Sequence, residues 1–333
     1  MADAPAPAWP DPAWPAYEAP LAAFNGAAPP APAWFDWAIA QQPERRAIPV
    51  LGANIELLTW GERGKPGLIL VHGNSAHADW WSFIAPYLAM DYRVAAISLS
   101  GMGGSDWRDA YAFETFAAEA HDGALAAGLY DAPVPPVFIG HSFGGAQVFH
   151  AAMNHPDWMR GAILVDTGFG GPPPQSEGVA SEGFRSPQMR ATPNRVYPDL
   201  ATALGRFRFM PPQGCQNAYI ADFIARRSLK RVPLPEGEGD GGGEGWTWRF
   251  DPQLWSKLDR SGMSDMDRKT SATPLVHIHG DHSKIIQRMA ETGSYLPPGT
   301  RQIVIPDSEH HIMVDQPLAL VAALRSVLAC WPE

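Results

Sequence analysis

The stretch Val137-Phe138-Ile139-Gly140-His141-Ser142-Phe143-Gly144-Gly145 decides the fold. Apolar β-forming residues run straight into Gly-x-Ser-x-Gly, and a helix-compatible segment, 144–154, follows. A strand that turns at once into a helix forces strained dihedrals on the serine. Side chains on its neighbours would collide with the crossing backbone, so glycines flank it. The turn lifts the Ser142 hydroxyl clear of the sheet. It also sets the next backbone N–H at a helix start, where negative charge is stabilised. The motif alone is common; strand, motif, double glycine and helix together mark Ser142 as a nucleophile.

Outward from this turn, short apolar runs predict strands at 55–60, 68–71, 94–99, 137–140, 162–165, 275–278 and 302–305. Helical stretches such as 113–129 lie between the central ones. That alternation predicts an α/β fold, a mainly parallel sheet with helices on both faces. Residues 170–265 interrupt it, rich in Pro, Gly and aromatics, with the run Glu236-Gly237-Glu238-Gly239-Asp240-Gly241-Gly242-Gly243. An insertion at the carboxyl edge of a sheet reads as a lid. The expected organisation is an arm at 1–46, core at 47–169, lid at 170–265 and core again at 266–333. The arm is dense in Pro and Ala, which argues against regular structure, yet it carries Trp9, Trp14, Trp34 and Trp37. It is read as extended and docked on the core, reaching toward the pocket mouth or toward the second subunit of a homodimer.

Composition narrows the function. The chain of 333 residues is 45% hydrophobic, long enough to bury one large core. Its net charge of −10 argues against a nucleic-acid partner, which demands a basic face. The local basic run Arg226-Arg227-Ser228-Leu229-Lys230-Arg231 is read as a solvated helix face rather than an anion site. No apolar stretch of about 18 residues predicts a membrane span. Met1-Ala2-Asp3-Ala4-Pro5 lacks the basic start and apolar run of a secretory signal. Cys215 and Cys330 are read as free thiols in a reducing cytoplasm.

These features resemble the α/β-hydrolase superfamily from about residue 47 onward, in the serine esterase and lactonase branch with a helical lid. The layout is similar to that of haloalkane dehalogenases and epoxide hydrolases. Val71-His72-Gly73-Asn74 resembles the family's oxyanion segment after the third strand, and Ser100-Gly101-Met102-Gly103-Gly104-Ser105 its turn after the fourth. The latter is not a phosphate loop: no Lys follows and no helix starts there. The resemblance implies an eight-stranded, mostly parallel sheet, and oxyanion donors at the backbone N–H groups of Asn74 and Phe143. Dehalogenating and epoxide-opening relatives carry Asp at the position of Ser142. The tryptophan that dehalogenases keep after the nucleophile is replaced by Phe143, so dehalogenation is disfavoured. A serine alkoxide suits acyl transfer.

A serine hydroxyl needs a base to take its proton. The segment Ile305-Pro306-Asp307-Ser308-Glu309-His310-His311-Ile312-Met313-Val314-Asp315-Gln316-Pro317 resembles the family's histidine loop. The family spacing to the acidic residue before Gln-Pro favours His310 as base, with His311 packed against the lid or the following helix. For the acid, the family's common location three residues past Gly280 holds Ser283. Asp166, at the end of the sixth strand, is therefore preferred over Asp281, although Asp166 also fits a cap on the lid's entry loop.

His277-Ile278-His279-Gly280-Asp281-His282 spells a metallo-hydrolase signature, H-x-H-x-D-H. It comes too late in the chain for further ligands to follow, so no metal or organic cofactor is expected. Trp80, Trp81, Phe169, Met210, Tyr219, Phe223, Trp246 and Trp248 are candidates for a pocket wall, at most half of them lining it. The expected substrate is an apolar small-molecule ester or lactone, cleaved through an acyl-enzyme on Ser142. Carbon–carbon bond hydrolysis on the same residues, and a ligand-binding receptor or inactive relative, are the alternatives.

Overall fold

The structure is a computed structural model that describes residues 19–168, 193–234, 243–259, 261, 270–292 and 296–331. Its central element is an eight-stranded sheet: β1 (Glu44–Val50), β2 (Ala53–Trp60), β3 (Gly67–Val71), β4 (Arg93–Ile97), β5 (Val137–His141), β6 (Gly161–Val165), β7 (Leu275–Gly280) and β8 (Arg301–Ile305). The spatial order is β1-β2-β4-β3-β5-β6-β7-β8. Only β1–β2 and β2–β4 pair antiparallel; every other pair is parallel.

Strands β3 to β6 are buried at every position, as parallel strands covered on both faces must be. Alternate side chains feed two cores. Leu68 and Leu70 of β3 face one, with α1 (Ala33–Ala40) and α6 (Pro317–Ala329). Ile69 and Val71 face the other, with α2 (Phe113–Ala126), α3 (Phe143–Asn154) and part of α5 (Lys284–Thr292). The helix α4 (Ala218–Arg227) belongs to the insertion between β6 and β7, together with an antiparallel hairpin, Leu229–Pro233 against Glu244–Trp248. Among the described residues no helix is long and apolar enough to cross a membrane.

Three expectations need correction. The proline-rich N-terminal segment is not wholly extended. Pro32 sits just ahead of α1, where its missing N–H breaks no helical bond. Phe35 and Ala38 of that helix are buried, Phe35 against Phe83, Tyr219 and Phe223. Trp9 and Trp14 lie outside the described residues. The first strand, β1, was missed because five of its seven residues are exposed and show no apolar alternation. The basic run is not one helix face: α4 ends at Arg227 and a strand begins at Leu229. Arg226 pairs with Asp222, and the Arg227 guanidinium lies 3.6 Å from the centre of the Phe223 ring.

The insertion is tied to the core by an ionic cluster around the buried Asp79. Asp79, in the segment after β3, accepts from Arg45 at 2.8 and 2.9 Å, and Arg227 reaches it at 3.4 Å. Next to it His77 Nε2 meets Ser228 Oγ at 2.9 Å. These contacts fix the C-terminal end of α4 over the segment that also carries Asn74.

Candidate active site

Ser142 joins β5 to α3 with φ 52° and ψ −118°, a conformation costing an L-residue about 1–3 kcal/mol. Its N–H donates to Val165 O, and its carbonyl accepts from Ala146 N at the first turn of α3. The flanking glycines are required by contact. A Cβ on Gly144 would sit 2.3 Å from His72 O, and one on Gly145 would sit 1.8 Å from Thr167 Oγ1. The helix start is thus pressed directly against the segment after β3.

From this perch Ser142 Oγ lies 2.8 Å from His310 Nε2. The other ring nitrogen, Nδ1, lies 2.8 Å from Asp166 Oδ2. Because a carboxylate oxygen accepts, Nδ1 carries the proton, and Nε2 presents its lone pair to the serine hydroxyl. Asp166 closes β6, is fully buried and has φ 45°. Two further donors hold it: Gly280 N to Oδ1 at 3.2 Å and Ser283 Oγ to Oδ2 at 2.6 Å. Asp281 stands elsewhere. It is exposed, and its Oδ1 accepts from Ser308 N at 3.1 Å.

The expected oxyanion segment abuts the same turn. A Cβ on Gly73 would lie 3.3 Å from Ser142 Cβ, so Asn74 follows immediately after the point of closest approach. The N–H of Phe143 belongs to the first turn of α3, where helical amides have no intrahelical acceptor. His72 braces this segment: Nδ1–H donates to Gly73 O at 2.7 Å, and Nε2 accepts from Leu99 N at 2.9 Å. Burial drives its pKa down to about 3, in keeping with that neutral tautomer.

The histidine loop is held from two sides. From the core, His141 Nε2–H donates to His310 O at 3.0 Å. From the insertion, Gln213 Oε1 accepts from His311 N at 2.8 Å, while Gln213 Nε2 donates to both oxygens of Asp315 at 3.0 Å. Asn217 adds bonds to Val314 O and Asp315 O. No motif signals Gln213 or Asn217, and sequence reasoning missed both. His311 is buried between Trp80 and Phe209, with ring centroids at 5.4 and 5.1 Å.

The proposed wall residues divide. Trp80 lies at the site, flanked by His311 and by Phe209, a residue the sequence reading overlooked. Trp81 is fully buried core. Tyr219 and Phe223 pack on Phe35, so they join α4 to α1. Trp246 sits in the hairpin under Arg231, and Trp248 meets Phe207 and Tyr197. Met210 is half exposed, and Phe169 lies outside the described residues. Of the metal-like signature, His277 and His279 stack on each other on β7, whereas His282 falls beside Asp281 and Asp307 at the surface.

A hydroxyl at a strand-to-helix bend, a histidine after the last strand and an eight-stranded sheet of this order define a class. The chain belongs to the alpha/beta hydrolase family, whose pattern matches residues 68–324. It is similar to a pimeloyl-acyl-carrier protein methyl ester esterase of Edwardsiella ictaluri, 25% identical over 264 residues, covering 78% of this chain and 92% of that protein. It is equally similar to an esterase of Mycobacterium tuberculosis, 25% identical over 279 residues, covering 82% and 86% of the two chains. Among solved structures, the thioesterase domain from the curacin biosynthetic pathway superposes with a TM-score of 0.63 at 22% identity, covering 85% of this chain and 99% of that one. A crystal structure of an esterase from Mycobacterium tuberculosis gives 0.59 at 22% identity, covering 92% and 95%. Likeness at that identity shows the fold alone.

Proposed function

We propose that the protein is a carboxylic ester hydrolase that works through an acyl-enzyme on Ser142, with His310 as base and Asp166 as the group that orients it. The observation that carries this reading is the unbroken chain Ser142 Oγ, His310 Nε2, His310 Nδ1, Asp166 Oδ2, with both links at 2.8 Å. The esterase names of the two relatives support it.

In this mechanism Ser142 Oγ attacks the ester carbonyl carbon as its proton passes to His310 Nε2. Asp166 stabilises the imidazolium and keeps Nε2 aimed at the serine. The carbonyl oxygen, now an oxyanion, is received by the N–H groups of Asn74 and Phe143. Each such donor contributes about 3 kcal/mol to the barrier reduction. The tetrahedral intermediate collapses as the departing alkoxide takes the proton from Nε2. Water then repeats the sequence on the acyl-enzyme, releasing the acid and restoring Ser142. The apolar rings of Trp80 and Phe209 beside His311 favour an apolar acyl or alcohol portion, an ester or lactone of a small molecule.

The test is covalent labelling with a fluorophosphonate, followed by turnover of p-nitrophenyl esters of graded chain length and of several lactones. Labelling confined to Ser142 and abolished by Ser142→Ala is expected. A folded wild-type protein that neither takes the label nor hydrolyses any ester would overturn the reading.

A further inference from the structure

His310 does not stand alone. His141, His310 and His311 are all buried, and one ring nitrogen of each lies within 4.8 Å of those of the other two. Their ring centroids form a triangle of 4.9, 4.9 and 5.5 Å. An ion bound tetrahedrally at about 2.0–2.1 Å from three imidazole nitrogens sets those nitrogens about 3.3 Å apart and the ring centres about 5 Å apart. The centroid triangle already has that size.

We propose that His141, His310 and His311 form a binding site for a borderline-soft divalent transition-metal ion of the zinc or copper class. Occupancy withdraws His310 Nε2 from Ser142. Inhibition as the consequence rests on the hydrolase reading above; binding of the ion does not.

The chemistry of the three side chains suits such an ion. Imidazole ligates in its neutral form, through a ring-nitrogen lone pair. His310 Nδ1 meets the Asp166 carboxylate, the arrangement that fixes tautomer and ring orientation in metal-bound histidines and leaves Nε2 outward. His141 spends one nitrogen on the His310 carbonyl and keeps the lone pair of the other. His311 is the most telling. It is 4% exposed, and among the described residues neither ring nitrogen has a hydrogen-bond partner of normal geometry, although the Met210–Pro211 backbone lies alongside. A buried imidazole so weakly engaged keeps a nitrogen lone pair available to a ligand. Three histidines select ions that favour nitrogen donors over Mg²⁺ or Ca²⁺.

The experiment has two readouts. Adding Co²⁺ to the metal-free full-length protein should produce the intense visible absorption of tetrahedral cobalt at one equivalent, and Zn²⁺ should bleach it. Independently, Zn²⁺ should slow fluorophosphonate labelling of Ser142 and ester turnover by at least tenfold at saturation. His311→Phe and His311→Gln leave Ser142, His310 and Asp166 intact. Each should lose the cobalt band and need at least tenfold more Zn²⁺ for half-inhibition. Absence of the cobalt band in wild type, or equal Zn²⁺ sensitivity in wild type and both variants, overturns the proposal. The spectrum reads the site even if every ester tested proves not to be a substrate, so failure of the hydrolase reading and failure of the metal site are told apart.

Discussion

Ser283 Oγ donates to Asp166 Oδ2 at 2.6 Å, the same carboxylate oxygen that His310 Nδ1 reaches at 2.8 Å. The residue three positions beyond the end of β7 thus lies one hydrogen bond from the acid at the end of β6. Two strand ends converge on one imidazole, and either could supply its carboxylate. In this chain β6 does, and Ser283 steadies it.

The first prediction follows from that convergence. Asp166→Asn should lower kcat by about 10⁴-fold, as expected when the partner of the imidazole can no longer hold the right tautomer. Ser283→Ala should cost only about 3- to 10-fold, the worth of one hydrogen bond of about 0.5–1.5 kcal/mol. Adding Ser283→Asp to Asp166→Asn should restore part of the lost turnover, because a carboxylate is returned within reach of His310. Steady-state kinetics on one p-nitrophenyl ester decide it. A double variant as dead as Asp166→Asn alone would show that position 283 cannot address the imidazole.

The assignment of the base is tested separately. His310→Ala should remove nearly all turnover, with loss of about 10⁴-fold or more. Asp281→Asn should change kcat by less than about twofold, since that carboxylate is exposed and its Oδ1 accepts from the backbone of Ser308 rather than from His310. Turnover that survives His310→Ala, or that collapses in Asp281→Asn, would move the machinery to residues other than those proposed.

Stability of the tight bend can be probed through one glycine and its neighbour. A methyl group at Gly145 would overlap Thr167 Oγ1, while one at Gly144 would strike the carbonyl oxygen of His72. A side chain can be trimmed; a backbone carbonyl cannot. Gly145→Ala should destabilise by about 1–3 kcal/mol, and Thr167→Ala in the same chain should recover part of it, since Gly140 O and Thr167 Cβ, each 2.9 Å from the added carbon, remain. Gly144→Ala should cost at least as much and gain nothing from Thr167→Ala. Urea unfolding of the three single and two double variants measures both effects; additivity of Gly145→Ala with Thr167→Ala would refute the contact as the cause.

What the sequence made legible, and what it hid, divides along physical lines. Parallel strands buried on both faces leave continuous apolar runs, so β3 to β7 were readable from residues such as Leu68–Val71 and Ile163–Val165, and the more exposed edge strand β8 from Ile303, Val304 and Ile305. Strand β1 pairs on one side only and exposes Glu44, Arg45, Arg46 and Ala47, leaving no pattern to find. The strained turn was legible because its glycines are demanded by contacts with fixed backbone. Ser283 was noticed only as a missing acid; its bond to Asp166, 117 positions away in the chain, depends on β6 and β7 becoming neighbours. Gln213 was invisible for a similar reason. A lone glutamine in a lid carries no period or motif, and its worth lies in reaching His311 and Asp315 across the fold.

The pH dependence of stability turns on that last partner. Burial raises the Asp315 carboxyl to about 7, and the neighbouring charge of Glu309 adds to the rise, against the donated bonds of Glu309 N and Gln213. In the unfolded chain an aspartate titrates near about 3.9. Below that value both states hold the proton, and the contribution to stability is fully present. Between about 4 and about 7 the unfolded chain gives up its proton while the native state retains it. Stability is therefore lost as pH rises, by at most about 1.4 kcal/mol per unit, and the loss levels off above about 7. Asp315→Asn has no such titration, and every other group is common to both proteins. The difference in Tm, variant minus wild type, should therefore become steadily more positive from pH 4.5 to 7.5 and then stay flat, whatever its sign at the outset. Melting curves at constant ionic strength read it directly. Parallel profiles across that window would mean that the carboxyl ionises as freely in the folded protein as in the unfolded chain, and that the lid does not hold it in its protonated form.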